Sequence, residues 1–192
     1  MISNKALISF SAVLFGVFVV LISAIRVAQP KFIPRVYNSR VIAAENRQFE
    51  IPDNLKTKGL MPNNPFYWSE MLRDRIKLLM QSSKYNQSKL MTDYANERLG
   101  SGINMINIGY QDLGIEVISK AEKYLFKATQ SCKKIENEDE QQQQIVNLNK
   151  TFTQHQQILE RLLKTIPAEY QSSIQSSLQL NKQTHNDILL QI

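Results

Sequence analysis

The chain has 192 residues, enough for a membrane segment plus one domain of about 130 residues and too few for two independent cores of ordinary size. Six glycines, six prolines and a single cysteine exclude a collagen-like repeat, a disulfide scaffold and any zinc site built on two or more cysteines. The formal charge of +6 raises a nucleic-acid reading, which stands or falls on where those charges lie.

They are unevenly spread. Residues 1–25 carry only Lys5, whereas residues 26–50 carry Arg26, Lys31, Arg35, Arg40 and Arg47 against Glu45 and Glu50. What remains for residues 51–192 is 17 basic against 15 acidic side chains. A nearly balanced body offers no broad footprint for a phosphate backbone, so no nucleic-acid partner is expected.

Ahead of the basic collar runs Ala6 to Ile25, twenty residues without a charge. As a helix it rises about 30 Å, the thickness of a bilayer core. A cleaved signal peptide has a shorter apolar region closed by a small-x-small site, and here Arg26 interrupts the stretch after Ala24. The reading is therefore a tail over 1–5, a transmembrane signal anchor over 6–27 whose partner is the lipid bilayer, and a basic linker over 28–62. Orientation stays open. The C-terminal flank holds more positive charge, which favours a cytoplasmic body, while a short lysine-bearing tail before an apolar run is the layout of an exporting signal anchor.

Five of the six prolines, Pro30, Pro34, Pro52, Pro62 and Pro65, fall in or just after the linker, where they remove backbone donors and oppose helix. Its apolar residues Phe32, Ile33, Val41 and Ile42 suit packing on the domain or on the bilayer. A helix start is expected at Asn63-Asn64-Pro65, with asparagine as cap and proline in the first turn. Trp68, Leu72, Ile76 and Leu79 then recur at helical spacing and are read as a buried face widened by Phe66, Tyr67 and Met71. A membrane-interface role for this aromatic cluster is the competing reading.

A second helix is expected from about Tyr85 to Ile108, through Leu90, Tyr94, Leu99, Ile103 and Ile106. Gly100 and Gly102 weaken it by about 1 kcal/mol each relative to alanine, so they mark a close helix contact or a bend. Gly109 to Gly114 has turn composition. From Ile115 to Ile166 there is neither glycine nor proline, yet the apolar phase breaks once. Ile118, Ala121, Leu125, Ala128, Cys132 and Ile135 form one series; Ile145, Leu148, Phe152, His155, Leu159, Leu162 and Ile166 form another, out of phase with it. Two helices joined by a turn near Glu136 to Glu140 account for the jump, the polar stretch from Glu136 to Gln144 being a solvated turn and a first helical turn with acids near a helix N-terminus. Pro167 opens a last helix with Tyr170, Ile174, Leu178, His185, Ile188 or Leu189, and Ile192.

His155 and His185 both lie on apolar stripes. In a hairpin about Pro167 they sit about 10 Å or more apart, too far to share a metal, and each is read as a hydrogen-bonded residue at the edge of the core. Pairing the two helices on either side of residue 138 puts Cys132 near residue 144, away from His155, which disfavours a thiol-imidazole dyad. Glu97-Arg98 and Glu160-Arg161 are read as helix-surface charges. No metal-binding, phosphate-binding or nucleophile motif is present, so no catalytic, cofactor-binding or metal residue is assigned, and no small-molecule substrate is inferred.

The stretch Met61-Pro62-Asn63-Asn64-Pro65-Phe66-Tyr67-Trp68, followed by Leu72 and Arg73, resembles the opening of an uncharacterised bacterial family of membrane-anchored, exported helical domains of unknown function. There a Pro-x-x-Pro-aromatic element precedes the first helix. Glu97-Arg98-Leu99 is similar to its second helix, and Ile166-Pro167-Ala168-Glu169 with Ser177, Leu178, His185 and Leu189 to its last. The resemblance covers about residues 62–192 and brings no catalytic residue. Trp68-Ser69 and the glycines at 100 and 102 depart from the family pattern. The resemblance implies an N-terminal membrane segment, then a linker and a domain outside the cytoplasmic membrane.

The expectation is thus all-α: a transmembrane helix, a linker, and an antiparallel bundle of about five helices over 63–192. Functionally it is a single-pass binding or structural module at the bacterial cell envelope, with an unidentified protein partner. The alternatives are an envelope enzyme or regulator without a recognisable motif, and a cytoplasm-facing adaptor.

Overall fold

The computed structural model describes residues 49–52, 55 and 59–190, which belong to the compact unit Ser39–Ile192. The expected anchor over 6–27 and most of the linker lie outside the described residues. Among those described, secondary structure is entirely helical: α1 Tyr67–Met80, α2 Lys84–Asn107, α3 Gln111–Cys132, α4 Glu138–Thr165 and α5 Ala168–Leu189. None of these helices is long and apolar enough to cross a membrane.

Local chemistry sets the boundaries. Asn137 Oδ1 accepts from the Glu140 backbone N–H at 2.9 Å, and Glu138, Asp139 and Glu140 fill the first turn of α4, where carboxylates meet the positive end of the helix dipole. The polar stretch from Glu136 is, as its composition indicated, a solvated turn followed by the first turn of a helix. Gly109, at φ 92°, takes the left-handed position that closes α2. The start of α1 comes two residues later than expected, because Asn64 is used in a preceding turn: its side chain accepts from Phe66 N–H at 2.9 Å and its carbonyl from Tyr67 N–H at 3.0 Å, an Asx arrangement in place of a cap.

Helices α2 to α5 form an up-down-up-down bundle. Facing pairs Gly102–Gly114, Tyr94–Tyr124 and Ser88–Ala128 run in opposite order along α2 and α3. Ser88–Gln144 and Asn96–His155 run in the same order along α2 and α4, as do Ser119–Ser177 and Glu122–Asn181 along α3 and α5. Both out-of-phase series are buried throughout, from Ile118 to Ile135 and from Ile145 to Ile166, and on α5 Ile188, not Leu189, takes the inner position. The core falls into two apolar clusters, one around Leu99, Ile118, Leu159 and Ile174 and the other around Leu125, Leu148, Phe152 and Ile188.

Helix α1 corrects the sequence reading. Trp68, Leu72, Ile76 and Leu79, taken as a buried face, are 50%, 46%, 48% and 86% exposed. The face turned to the bundle is Tyr67, Met71, Asp74 and Leu78, and Asp74 is its one fully buried member. Part of the linker packs on the domain as one reading of its apolar residues allowed: Phe49 and Ile51 lie against the core, Leu55 is fully buried, and Phe49 exchanges two backbone hydrogen bonds with the Asn107 amide, at 3.0 and 2.9 Å.

The glycines mark close contacts, not a bend. A Cβ on Gly102 would stand 2.5 Å from Ile118 Cγ1 and 2.8 Å from the Gly114 carbonyl oxygen; one on Gly114 would stand 2.6 Å from the Gly102 carbonyl oxygen. Gly100 faces the Leu55 carbonyl more tightly still. Alanine at 102 or 114 gains up to about 1 kcal/mol in helix propensity, but backbone contacts this short force the helices apart at about 1–3 kcal/mol. We therefore expect Gly102→Ala and Gly114→Ala to lower stability in urea unfolding; a raised midpoint for either would contradict this packing.

Candidate functional site

The bundle's most concentrated polar chemistry lies in its centre. Four helices each contribute one side chain: Asn96 from α2, Glu122 from α3, His155 from α4 and Asn181 from α5. His155 Nδ1 lies 2.8 Å from Glu122 Oε1, its Nε2 lies 3.0 Å from Asn96 Oδ1, and Asn181 Nδ2 donates to Glu122 Oε2 at 2.8 Å. Glu122 and Asn181 are 1% exposed and His155 not at all. The site sits where the two apolar clusters meet, between Ala121 and Leu125 on α3 and between Phe152 and Leu159 on α4.

A carboxylate only accepts hydrogen bonds, so His155 Nδ1 carries its N–H toward Glu122. Asn96 Oδ1 likewise only accepts, so the contact on the far side of the ring is a hydrogen bond when Nε2 is protonated as well or when the Asn96 amide presents its Nδ2. The couple has the form of an oriented acid and base, and both groups are closed to solvent. A buried carboxylate is tolerable only where donors surround it. His155 is thus at the centre of the bundle, not at the core edge where the sequence placed it. Two buried side-chain atoms, Asn181 Oδ1 in this layer and Thr129 Oγ1 about two turns further along α3, lack a hydrogen-bond partner among the described residues.

A second constellation joins α1 to the bundle. Arg98 is 5% exposed and sends Nη2 to Asp74 Oδ2 at 3.4 Å, while its guanidinium lies 4.3 Å over the Tyr124 ring and 5.4 Å from that of Tyr94. Arg73 reaches Asp74 Oδ1 at 3.2 Å and Glu70 at 2.9 Å; the hydrogen bonds to Asp74 and then Glu70 hold its guanidinium pKa up. Burial first, and then the Asp74 charge, push the Glu97 carboxyl and the Tyr94 hydroxyl upward. Reading Glu97-Arg98 as surface charge is therefore corrected: Arg98 is a buried cation and Glu97 half-buried. Glu160 pairs with Lys182 of α5 at 3.0 Å. The cleft beside Asp74, Glu97 and Arg98 holds about 20 Å³, space for a single water molecule.

The remaining singled-out residues sit apart from both sites. His185 Nε2 meets Asn149 Oδ1 at 2.6 Å with its ring stacked 5.3 Å from Phe152, and burial lowers its pKa. Cys132 lies by the Gln141 carbonyl, 3.9 Å away, on the side the helix pairing placed it. Among the described residues no three of His, Cys, Asp and Glu converge in a way that could hold a metal ion.

Sequence reasoning missed Glu122, Asp74 and Arg98. Spacing marked the first two: Glu122 stands four residues after Ile118 and three before Leu125, an inward position, and Asp74 completes a four-three-four series with Tyr67, Met71 and Leu78.

The architecture defines a helical-bundle domain crossed by a buried polar layer. Residues 59–189 match the family described as a domain of unknown function, DUF5667, and the chain belongs to that family. Neither a curated protein nor a solved structure matches the chain.

Removing one member of the central layer strands the others. We expect His155→Ala to cost about 3–5 kcal/mol, because Glu122 keeps only the Asn181 donor. Glu122→Leu combined with His155→Leu should cost much less than the two single changes together, the coupling being read by a double-mutant cycle in urea; additive losses would show that the pair does not act as a unit. For Cys132, burial raises the thiol pKa to about 11, so thiolate is scarce at neutral pH. Native protein should therefore resist labelling by a thiol reagent that reacts fully after unfolding, and equal rates in both states would contradict the buried placement.

Proposed function

We propose that this chain is a single-pass membrane protein that holds a helical binding or structural module at the bacterial cell envelope. The observation that carries the reading is the uncharged run Ala6 to Ile25 followed by a basic collar; its length matches a bilayer core. Two features favour a module over an enzyme. The acid and base of the central layer are closed to solvent, and the cleft at the second constellation is too small for a substrate.

The domain lies outside the cytoplasm in this reading. The competing orientation has one specific observation in its favour, the excess of Arg and Lys after the run, and one experiment separates the two. The full chain should stay in the membrane pellet through alkaline carbonate washing, and protease added to cells with a permeable outer layer but an intact cytoplasmic membrane should digest the domain. Release by carbonate would remove the anchor. A domain digested only after lysis would place it in the cytoplasm.

A further inference from the structure

Helix α1 carries an apolar surface that nothing in the bundle covers. Of the thirteen large apolar side chains exposed among the described residues, six lie between residues 66 and 80: Phe66, Trp68, Leu72, Ile76, Leu79 and Met80. Trp68, Leu72, Ile76 and Leu79 fall within an arc of about 80° on a regular helix, forming one stripe. A contiguous patch of this kind marks an interaction surface.

Charge on the same helix selects the occupant. Its two acids are turned away from solvent, Asp74 to Arg98 and Glu70 to the Leu60 backbone N–H and Arg73. Of its three exposed cations, Arg73 answers Glu70 and Asp74, which leaves Arg75 and Lys77 to face the surroundings. Arg75 falls about 20° from Trp68 around the helix, at the edge of the stripe. Two copies of the chain packed on this face would bring their arginines together, whereas an anionic bilayer answers them while taking up the aromatic and aliphatic side chains.

We infer that α1 is an interfacial helix that lays its Trp68–Leu72–Ile76–Leu79 face into an anionic lipid surface. The inference gains from the proposed anchor, since a tether in the same membrane makes docking an intramolecular step, but its test is separable from that reading. The inner face of α1 keeps its hold on the bundle through Asp74 and Arg98 throughout, so docking requires no unfolding of the domain.

Trp68 is the chain's only tryptophan and so reports on the face directly. The full chain is reconstituted into phosphatidylcholine vesicles, with or without phosphatidylglycerol, that carry brominated acyl chains. In the phosphatidylglycerol vesicles Trp68 emission should shift to the blue and fall about twofold or more, with a smaller effect in phosphatidylcholine alone. Replacing the exposed pair, Leu72→Glu with Ile76→Glu, should abolish the quenching while the helical circular dichroism is retained. Unquenched Trp68 in protein that floats with the vesicles overturns the inference and leaves the anchor standing. Quenched Trp68 in protein that carbonate releases supports the inference and removes the anchor. Shielding of Trp68 that follows protein concentration and ignores brominated lipid assigns the face to a second copy and overturns it, as does undiminished quenching in the double variant.

Discussion

The carboxylate of Glu122, buried at the centre of four helices, is the constraint on which the rest of the structure turns. A charge in an apolar core costs several kcal/mol unless donors surround it. Those donors come from His155 on α4 and Asn181 on α5, with Asn96 of α2 holding the far side of the imidazole. An all-aliphatic bundle of this kind tolerates sliding of one helix by a turn, about 5.4 Å. Here such a slip on α3 would press Glu122 against Phe152 or Leu159 and leave the imidazole and the Asn181 amide without their acceptor. The polar layer contributes register more than net stability, as single buried polar positions do in coiled coils.

Register then propagates. With α3 fixed against α4 and α5, Gly114 stands opposite Gly102, and the backbones of α2 and α3 approach closely enough that a methyl group does not fit between them. The same alignment sets Tyr124 over the Arg98 guanidinium and leaves that cation aimed at Asp74. The placement of α1 therefore depends on a histidine and a glutamate that it does not touch. A further polar tie, Gln144 donating to Ser88 and Thr92 at 3.0 and 3.1 Å, repeats the device one cluster away, where Leu125 and Leu148 alone would not specify the alignment of α2 with α4.

How much of this was legible follows from what periodicity records. The jump of phase between Ile135 and Ile145 correctly divided a glycine-free and proline-free stretch into α3 and α4, because each series is dominated by aliphatic residues on one stripe. In α1 two stripes compete. The stripe of Trp68, Leu72, Ile76 and Leu79 is the more apolar, but Tyr67, Met71, Asp74 and Leu78 face the bundle because Asp74 has a cation waiting 24 positions away. Hydropathy weighs a residue by itself and gives a paired aspartate no credit for its partner. Arg98 was misread for the same reason, and Glu122 passed unnoticed among alternating charged residues on α3 although its spacing was that of a core position. The polar layer was invisible since its four members are more than two dozen residues apart in sequence, and only the folded register brings them together.

The inversion of α1 changes what the composition means. Counted along the chain, the body carries 17 basic and 15 acidic side chains and looks neutral. Counted in space, Asp74 and Glu70 are taken up by Arg98 and Arg73, so Arg75 and Lys77 are the charges that α1 adds to its apolar surface. Those two properties share a cause. Holding a helix by buried polar ties rather than by its most apolar stripe frees that stripe, and spending the acids on those ties strips the exposed side of negative charge. A helix held by its apolar stripe would instead have shown its acids and cations together to solvent, giving a mixed surface with little preference for anionic lipid. The buried Asp74–Arg98 pair is thus the element that couples the internal order of the bundle to the character of its outer face.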